Sequence, residues 1–172
     1  MTRKRTSCIL PTAKLLARVK KEKNMKFLVI NGVNLNLTGK REQAVYGTNT
    51  LEEINAYIRA YCEVGEDSVD FYQSNIEGEI CNKLHEAFLN KSYDGILLNA
   101  GAYTHYSYAI RDAIAAIDIP VVEVHMSNVY AREDFRKTSV LSEVCKGTVC
   151  GFGAGSYIAG LVGLCEALAK TE

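Results

Sequence analysis

A chain of 172 residues is long enough for one domain with a buried core and too short for two of ordinary size. Apolar residues make up 48% and charged residues 23%, as in soluble globular proteins, and no run approaches the roughly 18 apolar residues of a membrane span. The net charge of zero divides into a basic start and an acidic remainder, with twelve Lys/Arg against nineteen Asp/Glu after residue 24. These features exclude a membrane span and disfavour nucleic acid as the main partner.

Residues 1–24 carry eight Lys/Arg against one Glu, and we predict a disordered basic extension before a single α/β domain at residues 25–172. Three interpretations of the extension stay open: a flexible arm, a targeting leader, or non-coding sequence translated upstream of a true start at Met25. A secretory signal is disfavoured because basic residues interrupt its short apolar stretch.

The six cysteines form no C-x-x-C pair and have no Cys/His spacing suited to zinc. We interpret them as reduced thiols that are buried as small hydrophobic residues. Thiols of this kind are typical of a cytoplasmic protein, so we predict that location.

Five short, β-rich apolar runs alternate with helical patterns after residue 25. They occupy residues 26–30, 68–73, 95–99, 121–125 and 147–152. Several are nearly continuous apolar segments, which is typical of parallel strands buried on both faces. Because a repeated strand–helix order implies right-handed crossovers, we predict an α/β fold: a flavodoxin-like open five-stranded parallel sheet with helices on both faces.

Helical periodicity fills the intervals between these strands. The first helix starts at Thr50, where Glu53 completes a capping box, and the second follows Ser74 and Glu77. A third helix is predicted over residues 106–117, and a fourth runs to the C terminus. The predicted apolar faces consist of Leu51, Ile54, Ile58 and Tyr61, then Ile76, Ile80, Leu84 and Phe88, and finally Tyr157, Leu161, Leu164 and Leu168.

Polar side chains follow the predicted strands at their carboxyl ends, where open parallel sheets bind ligands. We expect these side chains to converge on one pocket. They are Asn31, Asn34, Ser74, Asn75, Asn99, His125, Ser127 and Asn128. Nearby loops add His105, Arg41, Arg132 and Arg136. Amides and arginines orient a polar anion, while histidine moves protons.

Other motifs are weaker. The stretch 151–160, GFGAGSYIAG, is similar to a dinucleotide-binding loop but follows the last strand, so tight strand-to-helix packing explains its glycines better. No G-x-S-x-G elbow occurs, which disfavours covalent catalysis. Metal binding would need a third ligand beside His105 and His125, so we predict no metal. For His105 and His125, the alternative is a structural role as hydrogen-bonded histidines. For Arg132 and Arg136, the alternative is a solvated charged face.

The segment 31–50 connects the first strand to the first helix and carries Tyr46, with the basic pair Lys40 and Arg41 upstream. Connections inside compact domains usually take about 4–6 residues, and a much longer one tends to be functional or disordered. This loop is therefore the first candidate for a functional segment.

Four stretches, in this order and spacing, resemble the type II 3-dehydroquinate dehydratases: INGVNLNLTGKREQAVYG, FYQSNIEGEI, ILLNAGAYTHYSYAIRDA and VVEVHMSNVYAREDFRKTS. The resemblance covers essentially residue 25 to the C terminus. It implies a homo-dodecamer, built as a tetramer of trimers, that converts 3-dehydroquinate to 3-dehydroshikimate through an enolate, without a Schiff base, metal or organic cofactor. Biosynthesis of aromatic amino acids through the shikimate pathway and breakdown of quinate both use this reaction, and the sequence does not distinguish them.

The resemblance also implies roles for the residues that match the family. Tyr46 would be the general base that removes a proton from the carbon beside the substrate ketone. Arg41 would favour the phenolate form of this tyrosine, and Arg132 would support it. His125 would be the general acid that protonates the departing hydroxyl, with Glu123 orienting it.

A second group would bind the substrate. Asn34 would hold the water that hydrogen-bonds the enolate oxygen, and Asp112 would reach the site from a neighbouring subunit. The carboxylate and hydroxyls of the substrate would contact Asn99, His105, Met126, Ser127 and Arg136.

The chemistry of tyrosine agrees with the role implied for Tyr46. The pKa of a free tyrosine is about 10, so ionisation near neutral pH requires about 4 kcal/mol of preferential interaction with the phenolate. A single nearby cation lowers a pKa by about 1–3. Two arginines and a closing loop that excludes water are enough, and we predict that the loop is a lid carrying the base.

Three other functions compete with this interpretation. A flavin mononucleotide-binding module would need a phosphate loop after the first strand, and Thr38, Thr48 and Thr50 are too scattered to form one. A hydrolase using Cys150 predicts loss of activity on thiol alkylation and survival of the Tyr46→Phe variant. A purely structural protein leaves the polar residues at the strand ends unexplained.

Overall fold

The computed structural model describes residues 24–40 and 48–169. Within them, five strands form one sheet in the order β2-β1-β3-β4-β5, and every neighbouring pair is parallel. The strands are β1 (Lys26–Asn31), β2 (Ser68–Gln73), β3 (Gly95–Asn99), β4 (Val121–His125) and β5 (Gly147–Cys150). The predicted flavodoxin-like sheet is confirmed. The predicted basic extension lies, apart from Asn24, outside the described residues.

Four α-helices of the described part connect and flank these strands: α1 (Leu51–Val64), α2 (Glu77–Leu89), α3 (Tyr108–Ala115) and α4 (Gly155–Ala169). Helices α1 and α4 pack on one face of the sheet, and α2 and α3 pack on the other. The prediction of helices on both faces is therefore correct. None of the described helices combines the length and the apolar character needed to cross a membrane.

The four middle residues of strand β1 are all apolar, and the packing on its two faces explains this. Phe27 and Val29 pack against the cluster that includes α1 and α4, whereas Leu28 and Ile30 pack against the cluster beneath α2 and α3. All four are fully buried. Successive side chains of a strand point to opposite faces, so a central strand covered on both sides needs apolar residues at every position. Each such side chain contributes roughly 1.5–3 kcal/mol.

Local hydrogen bonds set the helix boundaries. The predicted capping box is present: Thr50 Oγ1 accepts from the Glu53 backbone N–H at 3.2 Å, and Glu53 Oε2 accepts from the Thr50 backbone N–H at 2.8 Å. Helix α3 begins after the predicted residue 106 because Ser107 caps it, its hydroxyl accepting from the backbone N–H of Ile110 at 3.0 Å. A 3-10 turn at Gly101–His105 precedes this cap. The helix also ends at Ala115, before the predicted residue 117.

Two other boundary predictions were wrong. Ile76 was expected on the buried face of the second helix, but it precedes the helix and is 58% exposed. The last strand was expected to reach residue 152, but it ends at Cys150 because Gly151 turns the chain with a φ of +98°. The glycines of residues 151–160 were expected to allow tight packing between strand and helix. This holds for Gly160, where an added Cβ would lie 3.0 Å from the Leu97 side chain.

The ends of β1 and β3 are held together by a backbone contact that only glycine permits. A Cβ on Gly32 would lie 2.3 Å from the carbonyl oxygen of Ala100, and the Gly32 N–H donates to the Asn99 carbonyl at 2.7 Å. Gly101 has a φ of +64°, and its own Cβ would lie 2.7 Å from the carbonyl oxygen of Val33. The two loops that follow these strands are thereby brought to the same place.

We expect the Gly32→Ala substitution to destabilise the protein by more than about 2 kcal/mol, because the added methyl group meets fixed backbone atoms. Urea unfolding followed by circular dichroism measures this loss. Gly78→Ala is the matched control: Gly78 lies in α2 with nothing within 4 Å of its added Cβ. The control should be neutral or slightly stabilising, and equal losses in the two variants would contradict the proposed contact.

Candidate active site

A cavity opens at the carboxyl ends of β1, β3 and β4, as the topology of the sheet requires. The loops after these three strands supply its walls. Their lining residues are Val33, Asn34 and Leu35 after β1; Asn99, Gly101, Ala102 and His105 at the end of β3; and His125, Met126, Ser127, Val129, Arg132 and Arg136 after β4. Every described residue predicted to act at the site lines this cavity, except Glu123 and Asp112.

The remaining predicted site residues lie elsewhere. Arg41 and Tyr46 fall outside the described residues. Glu123 is fully buried behind His125. Asp112 is exposed on α3, where it pairs with Arg111 at 3.3 Å, and it does not line the cavity of this subunit.

The expectation that all polar residues at the strand ends face the pocket is wrong for four of them. The Asn75 Oδ1 accepts from the Asn34 backbone N–H at 2.8 Å, and the Asn128 Oδ1 accepts from the Tyr130 backbone N–H at 3.1 Å. Ser74 and Asn31 are likewise engaged in hydrogen bonds away from the cavity. Short polar side chains at turns often form hydrogen bonds with nearby backbone groups, and Ser74, Asn75 and Asn128 do so here.

Two cavity histidines have different hydrogen-bond partners. In His125, Nε2 donates to Glu123 Oε1 at 2.8 Å, so Nδ1 is the ring atom that Glu123 does not engage. In His105, Nδ1 donates to the carbonyl oxygen of Thr138 at 2.8 Å, which leaves Nε2 as an acceptor in the neutral ring. Burial lowers the pKa of His105, and the nearby Arg136 lowers it further. His105 is therefore suited to accept a hydrogen bond near neutral pH.

Glu123 lies at the centre of a cage of hydroxyl groups. Ser139 Oγ lies 2.9 Å from Oε1 and 3.0 Å from Oε2, and Thr148 Oγ1 donates to Oε2 at 3.3 Å. Thr104 Oγ1 also donates to Oε1. With His125, these donors come from four different segments of the chain. A carboxylate without solvent contact is thus hydrogen-bonded on both oxygens, which such a charge requires.

The cage keeps Glu123 ionised. Burial by itself would raise the pKa of this carboxyl, but the hydrogen bond and charge of His125, together with Thr104 and Ser139, hold the pKa below its usual value. The neighbouring Cys145 experiences the opposite effect: burial, with the Glu123 charge second, raises the pKa of its thiol to about 12. Behind the cavity there are therefore an ionised carboxylate and a neutral thiol.

The two cavity arginines share one carboxylate. Arg136 Nε lies 2.8 Å from Glu133 Oε2, and Arg132 Nε lies 3.6 Å from the same oxygen. Arg132 also donates to the Ser127 hydroxyl at 3.4 Å. Both arginines line the cavity, and they come from two separate turns: Arg132 follows a 3-10 turn at Val129–Ala131, and Arg136 lies in another at Asp134–Lys137. Two guanidinium groups at one wall favour an anionic ligand.

Several residues that shape the site gave no usable signal in the sequence. Thr104, Ser139 and Thr148 are common residue types in loops or at strand edges, and all three are 16 to 25 residues away from their partner Glu123. Thr148 is the Cα partner of Glu123 in the β4–β5 register, but the sequence does not specify that register. No group of three or more His, Cys, Asp or Glu residues suited to a metal ion occurs in residues 24–40 and 48–169.

The fold and the cavity define a flavodoxin-like α/β protein with an acid-base pair and cationic groups at the carboxyl edge of its sheet. Comparison with known proteins gives the family. The model of the family described as "Dehydroquinase class II" matches residues 25–165, so the chain belongs to the class II dehydroquinase family. The resemblance found in the sequence is thereby confirmed.

Individual relatives agree with this assignment. The 3-dehydroquinate dehydratase of Clostridium beijerinckii is 53% identical over 134 residues, which are 78% of this chain and 91% of that protein. The protein of the same name from Pelodictyon phaeoclathratiforme is 55% identical over 137 residues, 80% of this chain and 89% of its own. The crystal structure of a type II dehydroquinase from Butyrivibrio crossotus matches with a TM-score of 0.80 and 49% identity, covering 82% of this chain and 97% of that one.

We expect Ser139→Ala to lower the free energy of unfolding by about 1.5–3 kcal/mol at pH 7, because a donor to a buried charge is lost. The folded-state pKa of Glu123 is depressed, so the stability this carboxylate contributes is present above its ordinary pKa and is lost as pH falls through the folded one. The deficit of the variant should therefore shrink on acidification. Urea unfolding at pH 7 and near pH 3 measures it.

Ser142→Ala is the control for this experiment. The Ser142 hydroxyl donates to the Ser139 carbonyl at 3.3 Å and makes no bond to Glu123. Its removal should cost less than about 1 kcal/mol, equally at both pH values. A deficit of the Ser139 variant that is also independent of pH would show that its hydroxyl does not stabilise the charge of Glu123.

Proposed function

We propose that this chain dehydrates 3-dehydroquinate to 3-dehydroshikimate by general acid-base catalysis through an enolate, without a Schiff base or a cofactor. The observation that carries the proposal is the buried Glu123–His125 pair, whose histidine lines a cavity that also contains two arginines and two amides. The names of the curated relatives supply the substrate. Loss of water from such a substrate needs a base at the carbon beside the ketone and an acid at the departing hydroxyl.

His125 is the general acid in this proposal. Because Nε2 is held by the Glu123 carboxylate, Nδ1 is the ring atom that would present a proton to the departing hydroxyl. The ionised Glu123 accepts this hydrogen bond and fixes the plane of the ring. After the hydroxyl leaves as water, the imidazole is neutral and takes up a proton again from solvent.

Other residues that line the cavity suit the rest of the substrate. Arg136 would supply charge for the carboxylate, and the Ser127 hydroxyl and the Met126 segment also line the cavity. His105, as a neutral acceptor, would receive a hydrogen bond from a ring hydroxyl. Asn34 would hold the water that hydrogen-bonds the enolate oxygen, and Asn99 would contact the substrate directly.

Tyr46 completes the mechanism as the base, in a phenolate form favoured by Arg41 and supported by Arg132. It would remove the proton beside the ketone, and the resulting enolate would expel the hydroxyl protonated by His125. No lysine is present among the described residues that line the cavity. A Schiff base to the substrate ketone would need such an amine, and trapping with borohydride tests for one.

The assay of this proposal follows the ultraviolet absorbance of the conjugated enone product. We expect Tyr46→Phe to reduce kcat by about 10²- to 10⁴-fold, the usual contribution of a general base, while the protein stays folded. Tyr57→Phe is the control, since Tyr57 lies half-exposed on α1. This control should retain the full rate.

Other outcomes would contradict the proposal. Full activity of Tyr46→Phe combined with loss of activity on thiol alkylation would favour the hydrolase interpretation based on Cys150. Inactivation by sodium borohydride in the presence of substrate would indicate a trapped Schiff base and would refute the enolate route. A purified protein that is yellow would favour a flavin-binding module instead.

We further propose that the protein is a homo-dodecamer, a tetramer of trimers, in which Asp112 completes the site of a neighbouring subunit. Asp112 is exposed on α3 and lies away from the cavity of its own subunit, which agrees with a function outside it. Three exposed apolar side chains, Ile76, Tyr106 and Tyr108, lie before or at the start of α2 and α3 and would be covered by assembly. Light scattering should then give about twelve times the 19.0 kDa mass of one chain.

Complementation tests the exchange of Asp112 between subunits. We expect Tyr46→Phe and Asp112→Ala subunits to be poorly active alone. Co-expressed in one cell they should form mixed oligomers in which about one site in four has both residues intact and is active. If Asp112 acted within its own subunit, or not at all, mixing would give no activity beyond the sum of the two variants.

The proposed location is the cytoplasm. Cys81, Cys145, Cys150 and Cys165 are free thiols, as is usual in a reducing compartment. The reaction would serve the shikimate pathway or the breakdown of quinate, since the chemistry is the same in both.

A further inference from the structure

A buried chain of hydrogen bonds lies directly beneath the cavity. Asn99 Nδ2 donates to the hydroxyl of Tyr157 at 2.8 Å, and this hydroxyl donates to Asn31 Oδ1 at 2.6 Å. Tyr157 is fully buried, and Asn31 and Asn99 are 1% and 3% exposed. Of the three residues, only Asn99 lines the cavity. These hydrogen bonds therefore connect a residue of the last helix to one wall of the cavity.

The topology explains why one hydroxyl reaches both amides. Asn31 and Asn99 are the last residues of the adjacent strands β1 and β3, and they are Cα partners in the parallel register. Paired residues of neighbouring strands point to the same face. That face is the one covered by α4, which places Tyr157 in its first turn.

The hydrogen bonds fix the orientation of the Asn99 amide. The Tyr157 hydroxyl has one proton and donates it to Asn31, so it can only accept from Asn99, which must present Nδ2. On the other side, Asn99 Oδ1 accepts from the backbone N–H of Gly101 at 3.3 Å. A flipped amide would place two donors against each other at Gly101.

The phenol of Tyr157 cannot serve as an acid or base near neutral pH. Burial raises its pKa far above the ordinary value of 10. It stays a neutral hydroxyl with defined donor and acceptor directions, which suits orientation and not proton transfer. Asn99 is left with its second N–H and one oxygen lone pair for a ligand in the cavity.

We propose that Tyr157 is a positioning residue that holds the Asn99 amide in the orientation required for binding substrate. The inference rests on the proposed function, in which Asn99 contacts 3-dehydroquinate. Tyr157 itself touches no ligand and acts through Asn99. The last helix of the fold thereby contributes to substrate affinity without forming part of the cavity wall.

Tyr157→Phe tests this inference, because it removes the hydroxyl and keeps the ring in the core. We expect KM to rise by about 5- to 30-fold, the effect of one unsatisfied buried hydrogen bond, while kcat falls less than about threefold. Tyr93→Phe is the matched control. It also removes a tyrosine hydrogen bond, from Tyr93 to Asp70 Oδ2 at 2.9 Å, but near the amino end of β3. Its KM and kcat should equal those of the wild type.

A double-mutant cycle separates positioning from a general effect on structure. In an Asn99→Ala background, Tyr157→Phe should produce no further rise in KM, because the residue through which it acts is absent. A rise that adds fully to that of Asn99→Ala would overturn the inference. A variant with a lower Tm but an unchanged KM would also overturn it, since that is the result expected of a purely structural hydroxyl.

The Asn31→Ala variant and the wild-type assay separate failure of the positioning role from failure of the proposed function. If Tyr157→Phe does not fold, Asn31→Ala tests the same chain: the Tyr157 proton loses its acceptor and competes with the Asn99 N–H, so KM should rise. An unchanged KM in Asn31→Ala would then overturn the inference. Absence of turnover by the wild-type protein would refute the proposed function as well, whereas wild-type turnover with unchanged KM in the variants refutes the positioning role alone.

Discussion

The ionised carboxylate of Glu123, buried on a central strand, is the constraint on which the site depends. A charge without solvent contact is tolerated only when hydrogen bonds replace its hydration. Here the donors come from His125, Thr104, Ser139 and Thr148. The loops after β3 and β4 and the edge strand β5 must therefore adopt paths that bring their hydroxyls to this carboxylate. The same paths place His105 and the arginines around the cavity.

A second buried polar network lies between the sheet and α4, and its polar groups are likewise satisfied by hydrogen bonds. Tyr157 satisfies two buried amides at the ends of β1 and β3, and the contact between Gly32 and Ala100 holds these ends together. In both networks, residues without access to a ligand determine the orientation of residues that have it. Packing density makes such arrangements rigid, because a displaced donor would leave a buried group unsatisfied.

The fold could be predicted because its determinants are local. Apolar runs of five or six residues, separated by turns and amphipathic helices, identify the strands and their parallel order. The errors occurred where a tertiary contact or a single backbone dihedral decided the outcome. The positive φ of Gly151 ends β5 early, and the Ser107 cap shortens α3. Ile76 has the spacing of a core residue, but it precedes the helix and points away from the core.

The sequence by itself determined the order of the elements, the edge of the sheet that carries polar groups, and the residues that resemble a known family. It did not determine which polar residues face the cavity: Asn31 and Asn99 have the same position at their strand ends, yet only Asn99 lines the wall. The tertiary structure decided this, and it paired Glu123 with Ser139 and Tyr157 with Asn31. Hydrogen bonds between residues distant in sequence depend on strand register, helix packing and loop path together. The type of a single residue therefore does not predict its hydrogen-bond partner.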